Sequence, residues 1–76
     1  MTAHDLQEIF RQLPAGPLTV HVAERTPIEV SHNDFAMLSP TGGIMNVWDA
    51  DGRLHYIEAP SIIRITHQEL TSQVRG

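Results

Sequence analysis

The sequence predicts a mainly β fold, one N-terminal α-helix followed by a five- or six-stranded small antiparallel β-barrel. Three observations predict it. The stretch from Ile44 to Glu58 reads as two apolar-rich runs around an Asp51-Gly52 turn, the strongest short-range signal for a hairpin. Leu18, Val20 and Val22 alternate with Thr19, His21 and Ala23, the period of two of a half-buried strand. Leu6, Ile9, Phe10 and Leu13 recur at i, i+3, i+4 and i+7, which puts all four on one stripe of a helix.

The helix is expected over residues 2–13. Thr2 followed by Asp5 resembles a capping box with aspartate in the usual place of glutamate, and Pro14 ends the run. A helix this short is marginal alone in water, so its stripe must lie on the sheet. Pro14-Ala15-Gly16-Pro17 is a connector that suits neither helix nor central strand. Strands then fill residues 18–67. The first holds Leu18 to Val22, Glu24-Arg25-Thr26 turns the chain, and Pro27 opens a second strand in which Ile28, Val30 and His32 share a face. Asn33-Asp34 interrupts it, and Phe35 to Leu38 resumes it with Phe35 and Leu38 directed at the core. Ser39-Pro40-Thr41-Gly42-Gly43 is a turn that delivers the chain into the hairpin. Ala59-Pro60-Ser61 suits one turn of 3₁₀ helix, and Ile62, Ile63 and Ile65 form a last strand ending near His67. The polar tail, residues 68–76, is expected to fray.

A chain of 76 residues makes one small domain, burying only about 60% of the surface that its unfolded form exposes. Cores of that size are usually supplemented, and with no cysteine the supplement is not a disulfide or a cysteine-built zinc site. Packing of the helix over the sheet, self-association, or both remain. Five arginines against nine acidic residues give a formal charge of −4, which works against general affinity for phosphate backbones. Protonating the five histidines would carry that charge to +1, so solubility or self-association is expected to change near pH 6. No apolar run approaches the roughly 20 residues of a membrane span, and the N-terminus lacks the basic start and apolar centre of a signal peptide. A cytoplasmic protein with no membrane attachment is expected.

The chemistry-bearing residues point away from catalysis. No two histidines stand three or four positions apart, and there is no His-Glu-x-x-His run, although His21 and His55 could neighbour each other across strands. Asp49-Ala50-Asp51-Gly52 opens like a calcium-binding loop, but Arg53, Leu54 and Pro60 occupy places that need a third oxygen ligand, a glycine and a bidentate glutamate. A hairpin turn explains the same residues. Ser31, Ser39, Ser61 and Ser72 lie near turns or in the tail, outside any nucleophile motif, and Gly42-Gly43 precedes a strand rather than the helix that a phosphate loop requires. No metal, no cofactor and no enzymatic activity are expected.

The order of elements resembles that of Sm-like and Src-homology-3-type small barrels. A longer likeness runs through Leu18-Thr19-Val20-His21, Val30-Ser31-His32, Phe35, Leu38-Ser39-Pro40, Val47, Asp49, Asp51-Gly52, His55, Ile57, Ile63 and Ile65. At these positions the chain resembles a family of short uncharacterised bacterial proteins abundant in planctomycetes. The likeness covers about two thirds of the chain. That family's pattern is a proline-flanked connector, an extended Thr-Ile-His segment, a His-Pro-x-Phe segment, Leu-Ser-Pro, an Asp-x-Asp-Gly turn and a closing isoleucine-rich strand. Asn33 stands here where the family has proline, and Glu24-Arg25-Thr26 replaces a glycine-containing turn. The resemblance implies a fold and no assigned activity.

Function is expected to follow from surplus apolar surface. Ile44, Met45, Val47 and Trp48 put bulky apolar groups on both faces of one strand, more than a thin barrel covers. A non-catalytic module that self-associates is expected, with Trp48, Tyr56 and Met45 at the interface between copies or with another protein. The competing reading is Sm-like RNA binding by an oligomeric ring, with Arg53, Arg64 and Tyr56 as the contacts, and a small metal-dependent enzyme is the third.

Overall fold

The computed structural model describes residues 1–67, and the tail at 68–76 lies outside the described residues. Helix α1 spans Ala3–Gln12. Thr2 is its N-cap: Thr2 Oγ1 accepts from the Asp5 amide at 3.0 Å and Asp5 returns a bond to the Thr2 amide, so the aspartate completes the capping box. Six strands follow, β1 (Leu18–Val22), β2 (Ile28–Val30), β3 (Ala36–Leu38), β4 (Ile44–Trp48), β5 (Leu54–Glu58) and β6 (Ile62–His67). Single 3₁₀ turns occupy Asn33–Phe35 and Ala59–Ser61.

The strands do not close into the expected barrel. They form two separate three-stranded antiparallel sheets, ordered β2-β1-β6 and β3-β4-β5. The physical reason lies at the two joints where a closed barrel would need continuous pairing. Between β2 and β3, His32 takes over the local backbone: its Nδ1 accepts from the Asp34 amide at 3.1 Å and its carbonyl from the Phe35 amide at 3.0 Å. Those donors go into a 3₁₀ turn instead of a ladder, so β2 and β3 are left with three residues each. Between β5 and β6, Pro60 has no amide to offer and the chain turns again. Alternation was sufficient to predict the strands, whereas closure also needs a consistent stagger around the ring, which alternation does not encode. The expected likeness to Sm-like and Src-homology-3-type barrels therefore fails at closure.

Both sheets nevertheless feed one core. Leu18, Val20, Val22, Ile28, Val30 and Ile62 come from the first sheet, Ala36, Met45, Val47 and Ile57 from the second, and Leu6 from the helix. Phe10 and Leu13 are half-buried against that cluster, as the helical stripe requires. The Ala59–Ser61 turn joins the two sheets. Its first residue donates to Gly43 O beside β4, and its last accepts from the Ala23 amide at the end of β1, both at 2.9 Å. The Met1 ammonium donates to Ile62 O at 2.6 Å, and the helix packs nearby. Close approach of the helix depends on Gly42, which is buried at φ +81°. A Cβ there would lie 2.9 Å from Ala3 O and 2.8 Å from the Gln7 side chain.

The two hairpin turns solve the same problem differently. In the β4–β5 turn, Gly52 takes φ +85° and closes a three-residue loop with Asp49 N bonded to Arg53 O at 2.9 Å. In the β1–β2 turn, Glu24 holds φ +56°, a left-handed conformation that strains a residue with a Cβ. Among the described residues no helix is long and apolar enough to cross a membrane.

Candidate interaction surface

The register of β3-β4-β5 decides what faces outward. Ala36 pairs with Val47 and Leu38 with Met45; across the hairpin Met45 pairs with Ile57, Asn46 with Tyr56 and Trp48 with Leu54. Because side chains alternate along each strand, the buried residues fix one face as inner and assign Met37, Ile44, Asn46, Trp48, Leu54, Tyr56 and Glu58 to the outer face. Phe35, one position before β3, continues the same alternation. Among the described residues, six of the seven large hydrophobic side chains left exposed belong to this side, from Trp48 at 38% to Tyr56 at 74%, and only Ile63 lies elsewhere.

Trp48 and Tyr56 thus stand diagonally across the hairpin on one surface. Met45, expected beside them, is 0% exposed and belongs to the core, since it sits one residue out of phase with Trp48. Phe35, expected in the core, is 48% exposed, because the 3₁₀ turn begins before the strand and delivers Ala36 inward instead. Its ring meets His32 edge-on, with centroids 6.4 Å apart. Met37, Leu54 and Asn46 were not singled out from the sequence. Counting outward from the Asp-Gly turn by two residues on each strand would have found Leu54 opposite Trp48 and Asn46 opposite Tyr56.

Asn46 is the polar centre of this face. It lies on the middle strand, paired with Met37 on one side and Tyr56 on the other. Its Oδ1 is enclosed and, among the described residues, accepts no hydrogen bond. An unpartnered buried acceptor costs on the order of 1–3 kcal/mol.

The outer side of β2-β1-β6 is chemically different. Thr19 pairs with Glu29 and with Thr66, and His21 with Arg64. Thr19 Oγ1 donates to Glu29 Oε1 at 3.0 Å, and His21 Nε2 lies 3.2 Å from Thr66 Oγ1. The extra residue of a bulge, Ile63, supplies the one large exposed hydrophobic on this sheet.

The histidines do not converge. His21 is on β1, His32 caps the 3₁₀ turn, and His55 Nε2 lies 2.8 Å from Asp49 Oδ2. Asp49 Oδ1 accepts from the Asp51 and Arg53 amides, both at 2.9 Å. That carboxylate is spent holding the hairpin turn, with its pKa lowered first by the bond to His55 and then by the Arg53 amide. Among the described residues no group of three or more histidine, aspartate or glutamate side chains is placed to hold a metal ion. The expected RNA contacts fall on different sheets: Arg64 is on β6 beside His21, Tyr56 is on β5, and Arg53 is in the turn before it. An open cleft of about 410 Å³ brings Arg25, Glu58, Ser61 and Tyr56 together at one end of the outer face. Its opposed charges give it no preference for an anion or a cation.

No family model, curated protein or solved structure matches this chain.

Proposed function

We propose that the chain is a non-catalytic interaction module that self-associates through the outer face of β3-β4-β5, working in the cytoplasm without a cofactor. The observation that supports this reading is the concentration of exposed Phe35, Met37, Ile44, Trp48, Leu54 and Tyr56 on one side of one sheet. Patches of this kind on a folded domain mark contact surfaces, and aromatic residues near their centre supply most of the binding energy. The face contains no nucleophile with an adjacent base, and its one carboxylate, Glu58, stands at the rim. RNA binding by a pore-lining set receives no support from two open sheets with Arg64 and Tyr56 divided between them.

Sedimentation equilibrium of the chain at tens of micromolar tests the reading. A mass at least twice 8.5 kDa is expected. A single species at 8.5 kDa across that range would sink it.

A further inference from the structure

Resting on that reading, we infer that the partner is a second copy bound face to face, the two β3-β4-β5 sheets stacking about a two-fold axis that passes at Asn46, the middle of the face. Two features of the face choose this occupant.

The first is area. With about 200 Å² of accessible surface per large side chain, the exposed fractions of the six hydrophobic residues leave about 600 Å² uncovered on each copy. Two copies bury about 1,200 Å² before any rim residue is counted, which reaches the lower end of stable interfaces. Sheets stacked face to face also bring their side chains into register at a spacing near 10 Å, the arrangement of any two-sheet core.

The second is charge. The chain carries a formal charge of −4, so most of its surface repels a copy of itself. Of the seven outward strand positions, only Glu58 is charged, at the end of β5. A membrane surface, which recruits basic residues around an apolar face, is a poor fit to an acidic rim.

The axis follows from the pairing. Asn46 lies on the middle strand between Met37 and Tyr56, so a two-fold axis there overlays the two apolar faces most fully. Its Oδ1 is enclosed within its own copy and takes no part in the contact.

The test is sedimentation equilibrium on the full chain and four variants, each checked by circular dichroism for the wild-type fold. Wild type is expected to be a dimer. Tyr56→Glu, with Trp48→Arg as a second variant should the first fail to fold, is expected to weaken association at least 100-fold. Thr66→Glu, on the opposite sheet, is expected to leave it unchanged. Asn46→Asp is expected to weaken association at least tenfold at pH 7, where two carboxylates lie near the axis, and to regain it near pH 3, where they are neutral. A dimer indifferent to Tyr56→Glu, or broken by Thr66→Glu, would overturn this face while leaving self-association standing. A dimer sensitive to Tyr56→Glu but indifferent to Asn46→Asp would overturn the axis. A monomeric wild type whose dye-binding apolar surface is lost in Tyr56→Glu would assign the face to a different partner and overturn the dimer.

Discussion

The sheets β2-β1-β6 and β3-β4-β5 have three strands each and share one core, yet their outward sides are opposites. The first presents Thr19, His21, Glu29, Arg64 and Thr66, already bonded to one another in part. The second presents six large hydrophobic groups and one unsatisfied carboxamide. Inner faces are dictated by folding, so they look alike in the two sheets. Outer faces are not, and the proposed contact between copies accounts for the difference there.

Substitutions of equal kind in the two sheets sharpen or break that contrast. The largest effects are expected where the sheets agree. Met45→Ala on β4 and Ile62→Ala on β6, both fully buried, should each cost about 2–5 kcal/mol in urea unfolding. A cost below about 1 kcal/mol at either would mean that one sheet stands apart from the shared core.

Outward substitutions come next. Trp48→Ser should weaken self-association at least tenfold, about 1.4 kcal/mol, whereas Thr66→Ser should leave the sedimentation profile unchanged. Equal responses would erase the distinction between the faces.

The turns give a smaller effect with opposite signs. Gly52→Ala meets open space, so its cost is the left-handed conformation alone, about 1 kcal/mol, while Glu24→Gly should gain about 0.5–1 kcal/mol by releasing the same strain. Thermal midpoints moving in the same direction for both would contradict the turn geometry.

Asp49 makes its hairpin sensitive to acid. Its carboxyl is held below the ordinary 3.8, chiefly by His55. A group depressed in the folded chain stabilises it fully above the unfolded value and loses that contribution as pH falls through the lowered folded value. The urea midpoints of wild type and Asp49→Asn should therefore differ at neutral pH and converge as the pH drops below 3.8. A gap that widens in acid would reverse the sign. Least is expected from Thr19→Val, which removes one exposed bond to Glu29 and should shift stability by no more than about 0.5 kcal/mol.

Local features of the fold were legible in the sequence, and closure was not. Thr2 and Asp5 mark the helix start because a cap is written within four residues. The Asp51-Gly52 turn fixes a hairpin register because loop length and strand alternation act together. Alternation puts His32 on a strand face; its ring accepts from the Asp34 amide instead, and that one bond converts a bent strand into a break. The surface was half legible for a related reason. Trp48 and Tyr56 are large and flank the turn, so composition finds them, but separating Met45 from Asn46 requires knowing which parity faces inward. Phe35 escaped because its size suggests the core, whereas the even-numbered positions face inward on both sides of the 3₁₀ turn, Ile28 and Val30 before it and Ala36 after it.

The strand order also sets a timetable for folding. Residues 36–58 supply all of β3-β4-β5 from one continuous stretch, whereas β2-β1-β6 joins residues 18–30 to residues 62–67 and cannot be completed until the ends of the intervening chain are brought together. Short-range pairing is fast and long-range pairing waits on loop closure, so the hairpin sheet should assemble first. Val47→Ala should then slow refolding, while Ile65→Ala should mainly hasten unfolding, and stopped-flow measurements showing the reverse would reorder the steps. During that interval the sticky side of the early sheet is bare on both surfaces, and a nascent chain is safest when its copies are dilute.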